Sequence, residues 1–493
     1  MCSSNTLTVF ARMSDVRQQS ITGIKWGAVQ QFSSQLIHFV LGLLIARILL
    51  PEDYGIIGML AIFMSISQSI VDSGFSQALI RKIDRTETDC STVFYFNIVV
   101  GFILYLLLFI SAPYIALFYE MPVLKDIIRV YSLTIFFNSL AVVPRALRTI
   151  AIDFKSQAYA SMIASGVSGI VGLYLAYNGF GVWALVWQSI LGTVLSVLLI
   201  WIYARWKPSL SYSWQSFQSL FSFGSKLLLS SLLHRLYSNM SLLLIGKYYT
   251  PAELGTYTRG EHLANLPTSN ITNLLQRVTY PILARLQNDD ERLITIYRKY
   301  VKMTSLVVFF IVMFLCATAK PIVTILLTEK WLKAVPFFQI FCLSSLFHHI
   351  IGVNLNLLKV KGHSDLYLKI EIVKKVIIFP ILFLAIPFGP MAICWVSVIY
   401  TQVDLICDTY YSGKLFGFGY FSQLHDIRKY LIVAVLACTP AFFISLSDLS
   451  PFLSFMLSLI CSIVLYVTAL HRDIYLNEIV GIVKQKRLLN KWR

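Results

Sequence analysis

The segment LLIARILLPEDYG (Leu43–Gly55) returns two hundred residues later as LLIGKYYTPAELG (Leu243–Gly255). Leu43, Leu44, Ile45, Pro51 and Gly55 recur at Leu243, Leu244, Ile245, Pro251 and Gly255, and Arg47 is matched by Lys247. In each copy an apolar run stops, and a proline, an acid and a glycine open the next segment, the pattern of a tight turn between two helices. A second pair, FGVWALVWQS from Phe180 and FGPMAICWVS from Phe388, agrees at Phe180/Phe388, Gly181/Gly389, Ala184/Ala392, Trp187/Trp395 and Ser189/Ser397. A weaker third sets Pro113, Leu124 and Lys125 against Pro321, Leu332 and Lys333, at the same offset of 208 as the second. Good turn residues explain each motif alone. Their collinear order points to a duplicated chain.

What is duplicated follows from composition. Of 493 residues, 57% are hydrophobic and only 13% charged, about half the charge of a soluble domain, and the mean hydropathy is +0.71. Runs such as Phe102–Ile110, Val194–Ile202, Leu306–Leu315 and Val376–Ile386 recur throughout and sit within segments of about 20 residues, the length that crosses a bilayer as a helix. Hydrocarbon offers no partner to a free amide, so the spans are helices. The reading is an all-α polytopic membrane protein of about fourteen transmembrane helices, arranged as two six-helix parallel repeats and two C-terminal helices. The boundaries are a tail at 1–23, a lobe at 24–204, a linker at 205–218, a second lobe at 219–411, a loop at 412–428, extra spans at 429–470 and a basic tail at 471–493. Each lobe has an even number of spans, so the two share one orientation, as in transporters that hold substrate between parallel halves.

A net charge of +17 could suggest nucleic acid, but the placement of the charges argues otherwise. Loops of one parity hold thirty Lys and Arg, those of the other parity seven. By the positive-inside rule both termini are cytoplasmic, and Lys484, Lys486, Arg487, Lys491 and Arg493 face anionic headgroups of membrane lipids. No cleavable signal precedes the first span, and Met13 offers an alternative start. The eight cysteines form no CxxC pair, so neither a metal site nor a disulfide framework follows. No GxxxxGK[ST], HExxH or GxSxG is present; neither a cofactor nor catalysis is expected.

ARILLPEDYGIIGM (Ala46–Met59), DSGFSQALIRK (Asp72–Lys82) and DFKSQAYASMIAS (Asp153–Ser165) resemble the polysaccharide and O-antigen flippases of the multidrug/oligosaccharidyl-lipid/polysaccharide exporter superfamily, nearest the colanic-acid-exporter type. The resemblance implies a bacterial inner-membrane protein that moves undecaprenyl-pyrophosphate-linked oligosaccharide from the cytoplasmic to the periplasmic leaflet. It also implies a V-shaped pair of lobes around a cationic cavity, a driving gradient of H+ or Na+ or the membrane potential, and polymerase and chain-length proteins as partners.

Elementary energetics fit that task. One sugar hydroxyl moved into hydrocarbon costs about 4–8 kcal/mol, so a saccharide head needs a polar groove. Charges retained inside spans mark candidate sites, since each costs about 2.5–3.5 kcal/mol on insertion. Arg235 lies mid-depth in the seventh span, for substrate or for neighbouring carbonyls. The eighth carries Arg259, Glu261, His262, Asn265, Thr268, Ser269, Asn270 and Asn273 around Pro267, either a kinked cavity helix or a partly re-entrant segment. In the eleventh, Glu371 can pair with Lys374 or Lys375, leaving one lysine for substrate, unless both snorkel to the surface. The substrate-binding candidates are therefore Arg235, Arg259, Glu261, His262, Lys374 and Lys375. Asp72 and Asp404, deeper than loops should be, either carry a coupling proton or serve as caps and ion pairs. His38, His348 and His349 are read as packed or interfacial, and Ala164, Ser168 and Gly172 as a close helix contact. The rival readings are a multidrug cation antiporter, which would present acids to its cargo, and a membrane polymerase or acyltransferase, which would need a large outer loop.

Overall fold

The computed structural model describes residues 33–72, 74–82, 84–286, 289–360 and 364–478. The expected N-tail, the start of the first span and the five basic residues of the C-tail lie outside the described residues. Among the described residues there is no strand, and every expected span within them coincides with helix.

The chain forms two compact units, Met1–Ala252 and Glu253–Arg493. The first contains α1 (Ser33–Ile48), α2 (Pro51–Asp72), α3 (Phe75–Arg81), α4 (Glu87–Phe118), α5 (Leu124–Tyr131), α6 (Leu133–Ser139), α7 (Val142–Ile150), α8 (Phe154–Tyr177), α9 (Val182–Ala204) and α10 (Trp214–Tyr248). α11 (Pro251–Arg285) starts at the boundary. The second unit continues with α12 (Asp290–Ala317), α13 (Ala319–Leu327), α14 (Val335–Ser345), α15 (His348–Val360), α16 (Ser364–Ala385), α17 (Pro390–Phe416), α18 (Tyr420–Leu446) and α19 (Pro451–Ala469). Among the described residues ten stretches are long and apolar enough to cross a membrane. α10, α11 and α16 have the length but are too polar or too charged to be among them, and these three carry Arg235, the Arg259 group and the two lysines.

Local chemistry sets the helix starts. Thr86 and Asp89 form a capping box for α4, and Asp153, Ser213 and Asp289 cap α8, α10 and α12 through backbone N–H groups three residues on. The repeated turns are alike in detail. Leu49 N–H bonds Ile45 C=O at 2.9 Å, Tyr249 N–H bonds Ile245 C=O at 2.9 Å, and Pro51 and Pro251 each open the next helix. The two copies also touch. A Cβ on Gly55 would lie 1.7 Å from the Pro251 carbonyl oxygen, so only glycine fits. Gly181 and Gly389, paired in the second motif, both precede a helix with positive φ, 55° and 99°.

α10 groups by contact with the first unit. The cause is aromatic: Phe217 and Phe221 of α10 pack on Phe75, Phe217 also reaches Phe96, and Leu220 joins the cluster around Phe75 and Leu79. The small-residue contact forms as expected, with a Cβ on Gly172 meeting Gln188 of α9 at 2.9 Å. In the second unit α18 and α19 pack on α12 through Phe314, Ala317, Cys438 and Ala441, and the Tyr466 hydroxyl donates to Leu306 C=O at 2.6 Å.

Candidate functional site

In the first unit Arg235 stands on an exposed face of α10. One turn on, Asn239 donates through Nδ2 to the Arg235 carbonyl at 2.9 Å and to Ser65 Oγ of α2 at 3.1 Å, fixing this part of α10 against α2. Asp72, at the end of α2, lies within electrostatic reach of both Arg235 and Arg145. Among the described residues none of these three makes a close ion pair. The arrangement is an open group of two arginines and one acid, with hydrogen-bonding capacity to spare.

In the second unit one turn of α11 carries Arg259, Glu261 and His262. The Arg259 guanidinium stands over the Trp331 ring, 5.9 Å from its centre, a cation–π geometry. Glu261 is half-buried and makes no ion pair among the described residues; His262 is exposed and feels the charge of Arg259. α11 runs through Pro267 as one helix rather than a re-entrant loop. Thr268 Oγ1 donates to Ala264 C=O at 2.9 Å and Asn270 Nδ2 to Leu266 C=O at 2.7 Å, so these polar groups bond along their own helix around the proline. The Asn273 side chain lies outside the described residues.

Lys374 departs from the expectation of a spare substrate cation. Its side chain is 0% exposed, with Nζ 2.7 Å from Asp408 Oδ1, 3.3 Å from Glu371 Oε1 and paired with Asp404 Oδ1. It does not snorkel, and three carboxylates of α16 and α17 take up its charge. Lys375, half-buried, sits 3.7 Å from Glu371 Oε2. Asp404 is thus an ion-pair partner, and Asp408, also 0% exposed, completes the cluster. Beside it Asn354 and Gln423 exchange amide hydrogen bonds at 3.0 and 3.1 Å, Ser412 donates to Asn354 at 2.7 Å, and Tyr297 donates to Gln423 at 3.3 Å. Asp408 was legible only as the residue four after Asp404 on the same helix face.

Residues 44–336 match the family described as polysaccharide biosynthesis protein. The chain belongs to that family. Similar to it is the teichuronic acid biosynthesis protein TuaB of Bacillus subtilis (strain 168), 25% identical over 88% of this chain and 91% of that one. So is the succinoglycan biosynthesis transport protein ExoT of Rhizobium meliloti (strain 1021), 22% identical over 67% of each. Among solved structures, the lipid II flippase MurJ in an inward closed conformation superposes with a TM-score of 0.75, covering 92% of this chain and 99% of that one at 12% identity. This member of the polysaccharide biosynthesis family is therefore a helical, multi-pass membrane protein with the fold of that flippase structure.

Proposed function

We propose that the protein flips undecaprenyl-pyrophosphate-linked oligosaccharide repeat units from the cytoplasmic to the periplasmic leaflet of a bacterial inner membrane, by alternating access and with both termini cytoplasmic. The observation that carries this reading is Arg235, a cation mid-way along a membrane-length helix that no carboxylate neutralises at close range among the described residues. In a polysaccharide-biosynthesis transporter, such a group suits an anion joined to a sugar. Arg235 of the first unit and Arg259 of the second are the pyrophosphate-binding residues, because a planar fork bonds two phosphate oxygens at once. Glu261 tempers the affinity of Arg259 so that the lipid is released, and His262, on the same turn, is a further substrate contact. Lys375 adds charge at the rim of its cluster, and Lys374 serves that cluster instead of the substrate.

Coupling falls to Asp72 and to the cluster containing Asp404. Glu371, Asp404 and Asp408 face Lys374 and Lys375, with Cys407 and Tyr297 nearby. Three carboxylates against two ammonium groups leave one uncompensated negative charge, which a buried site does not tolerate. A proton neutralises it and is the coupling ion of this reading, with Na+ the alternative. A polymerase and a chain-length protein are the partners that would consume the flipped lipid.

The test is export in cells lacking the chromosomal copy. Arg235→Ala and Arg259→Ala are each expected to abolish or sharply reduce polysaccharide at the surface while the protein stays in the membrane at near-normal amount. Lysine at either position restores part of the export. Normal export by both alanine variants would place the pyrophosphate elsewhere.

A further inference from the structure

We infer that the first unit contains a binding subsite for an acidic sugar, distinct from the pyrophosphate-binding residues and resting on the flippase reading above. Between α1, α6, α7, α8 and α9 lies a cavity of about 480 Å³, within the range of roughly 300–1,000 Å³ that encloses small-molecule ligands. Hydroxyls dominate its wall, with Ser161, Ser165, Ser168, Thr193 and Ser196 among them, and among the described residues Arg145 is the one lysine, arginine or carboxylate residue lining it.

That lining excludes several occupants. An apolar ligand would strand the polar wall, and a metal ion would find no carboxylate. Sugar hydroxyls fit, because each serine or threonine oxygen can accept a bond even while its own hydrogen is engaged. Ser161 already shares a hydrogen with Ser34 at 2.9 Å, Ser165 pairs with His38 Nε2 at 2.8 Å, and Thr193 donates to Ser189 C=O at 2.8 Å. Thr193 is left to accept, Ser161 and Ser165 can donate or accept according to the role their partner takes, and a sugar hydroxyl can answer either.

Arg145 adds the charge requirement. Its guanidinium carries five N–H donors, yet among the described residues it makes one hydrogen bond, to Ser196 Oγ at 3.3 Å. Asp72 influences it electrostatically without forming a close pair. A pyrophosphate would call for several cations around two phosphates, whereas one arginine within a wall of hydroxyls matches a single carboxylate on a sugar ring. The charged bond then selects acidic repeat units over neutral ones.

The experiment uses the full chain in proteoliposomes with two probes: lipid-pyrophosphate-linked oligosaccharides identical except that one sugar is a uronic acid or the corresponding neutral hexose. The wild type is expected to flip the acidic probe at least about tenfold faster, and Arg145→Gln to slow it about 10–100-fold, the weight of one charge-assisted hydrogen-bonded pair. Flipping of the neutral probe stays unchanged, which also shows that the variant is folded. Arg145→Lys recovers part of the difference, and Ser196→Leu, which fills the cavity, mimics Arg145→Gln. Equal slowing of both probes would assign Arg145 to the pyrophosphate or to the fold and overturn the subsite. No slowing of either would leave the cavity to water and overturn it too. A wild type that moves neither probe would sink the flippase reading itself, and the subsite with it.

Discussion

The two units share the helix-opening glycine turn matched at Gly181/Gly389, yet each holds a polar group of a different kind. In the first unit Asp72, Arg145 and Arg235 sense one another without close pairing, and Arg145 borders a cavity lined by hydroxyls. The second draws its charges together, with Lys374 and Asp408 both wholly buried and locked to Asp404 and Glu371. An open polar group retains bonding capacity for a ligand. A closed one has spent that capacity on itself.

The sharpest way to break this contrast is to remove one cation from each unit. Lys374→Met leaves two buried aspartates without a counter-ion, and breaking a buried pair from one side costs about 3–5 kcal/mol. Its Tm in detergent should fall steeply, and adding Asp404→Asn and Asp408→Asn should restore much of the loss. Arg145→Met should leave Tm nearly unchanged, because no buried acid depends on it at close range. Equal Tm losses in the two single variants would erase the distinction between open and closed.

A smaller effect sharpens it. Gln423→Ala strands Asn354 and Tyr297 inside the second unit, and an unsatisfied buried group costs about 1–3 kcal/mol. Thr193→Val in the cavity wall removes a hydroxyl bonded only along its own helix, so about 0.5 kcal/mol or less is expected. Comparison of the two denaturation midpoints decides it. A larger cost for Thr193→Val would mean that the cavity wall is structural.

Much of this was legible in the sequence, and the exceptions have physical reasons. Fold class follows from apolar length, which any helix in hydrocarbon must obey. The turns at Pro51 and Pro251 follow from residues that stop and start helices, which act locally. What escaped was contact between distant helices. Lys374 reads as a spare cation from its own span because Glu371 is the one acid within four residues. Its partners Asp404 and Asp408 lie on the next helix. Arg145, in VVPRALR, reads as one more cytoplasmic-side loop cation, since nothing in its own segment discloses the serines of α8 and α9. The placement of α10 with the first unit likewise depends on Phe217 and Phe221 meeting Phe75, a contact no periodicity encodes.

The smallest prediction concerns an ion pair at the water's edge, a control for the buried cluster. Asp473 accepts a hydrogen bond from Lys429 Nζ at 2.7 Å and from the backbone N–H groups of Tyr475 and Leu476 at 3.0 and 3.4 Å. Lys429 is 56% exposed. Burial alone would raise the Asp473 carboxyl above its ordinary pKa, but the Lys429 bond and the backbone amides outweigh burial and hold it below. A carboxylate held low in the folded state contributes stability that is fully present above its unfolded pKa of about 3.9. That contribution is lost as pH falls through the lower, folded value. Asp473→Asn should therefore speed amide hydrogen exchange at Tyr475 and Leu476 at pH 7, by a factor of about 2–30 for a lost cap of about 0.5–2 kcal/mol. The gap from wild type should narrow at pH 3 once intrinsic exchange is corrected. Salt at 1 M should also narrow it, because exposed pairs are screened, whereas the Lys374 cluster, closed to solvent, should show no such dependence. A salt-insensitive Asp473 would mean that this pair is as closed as the buried one.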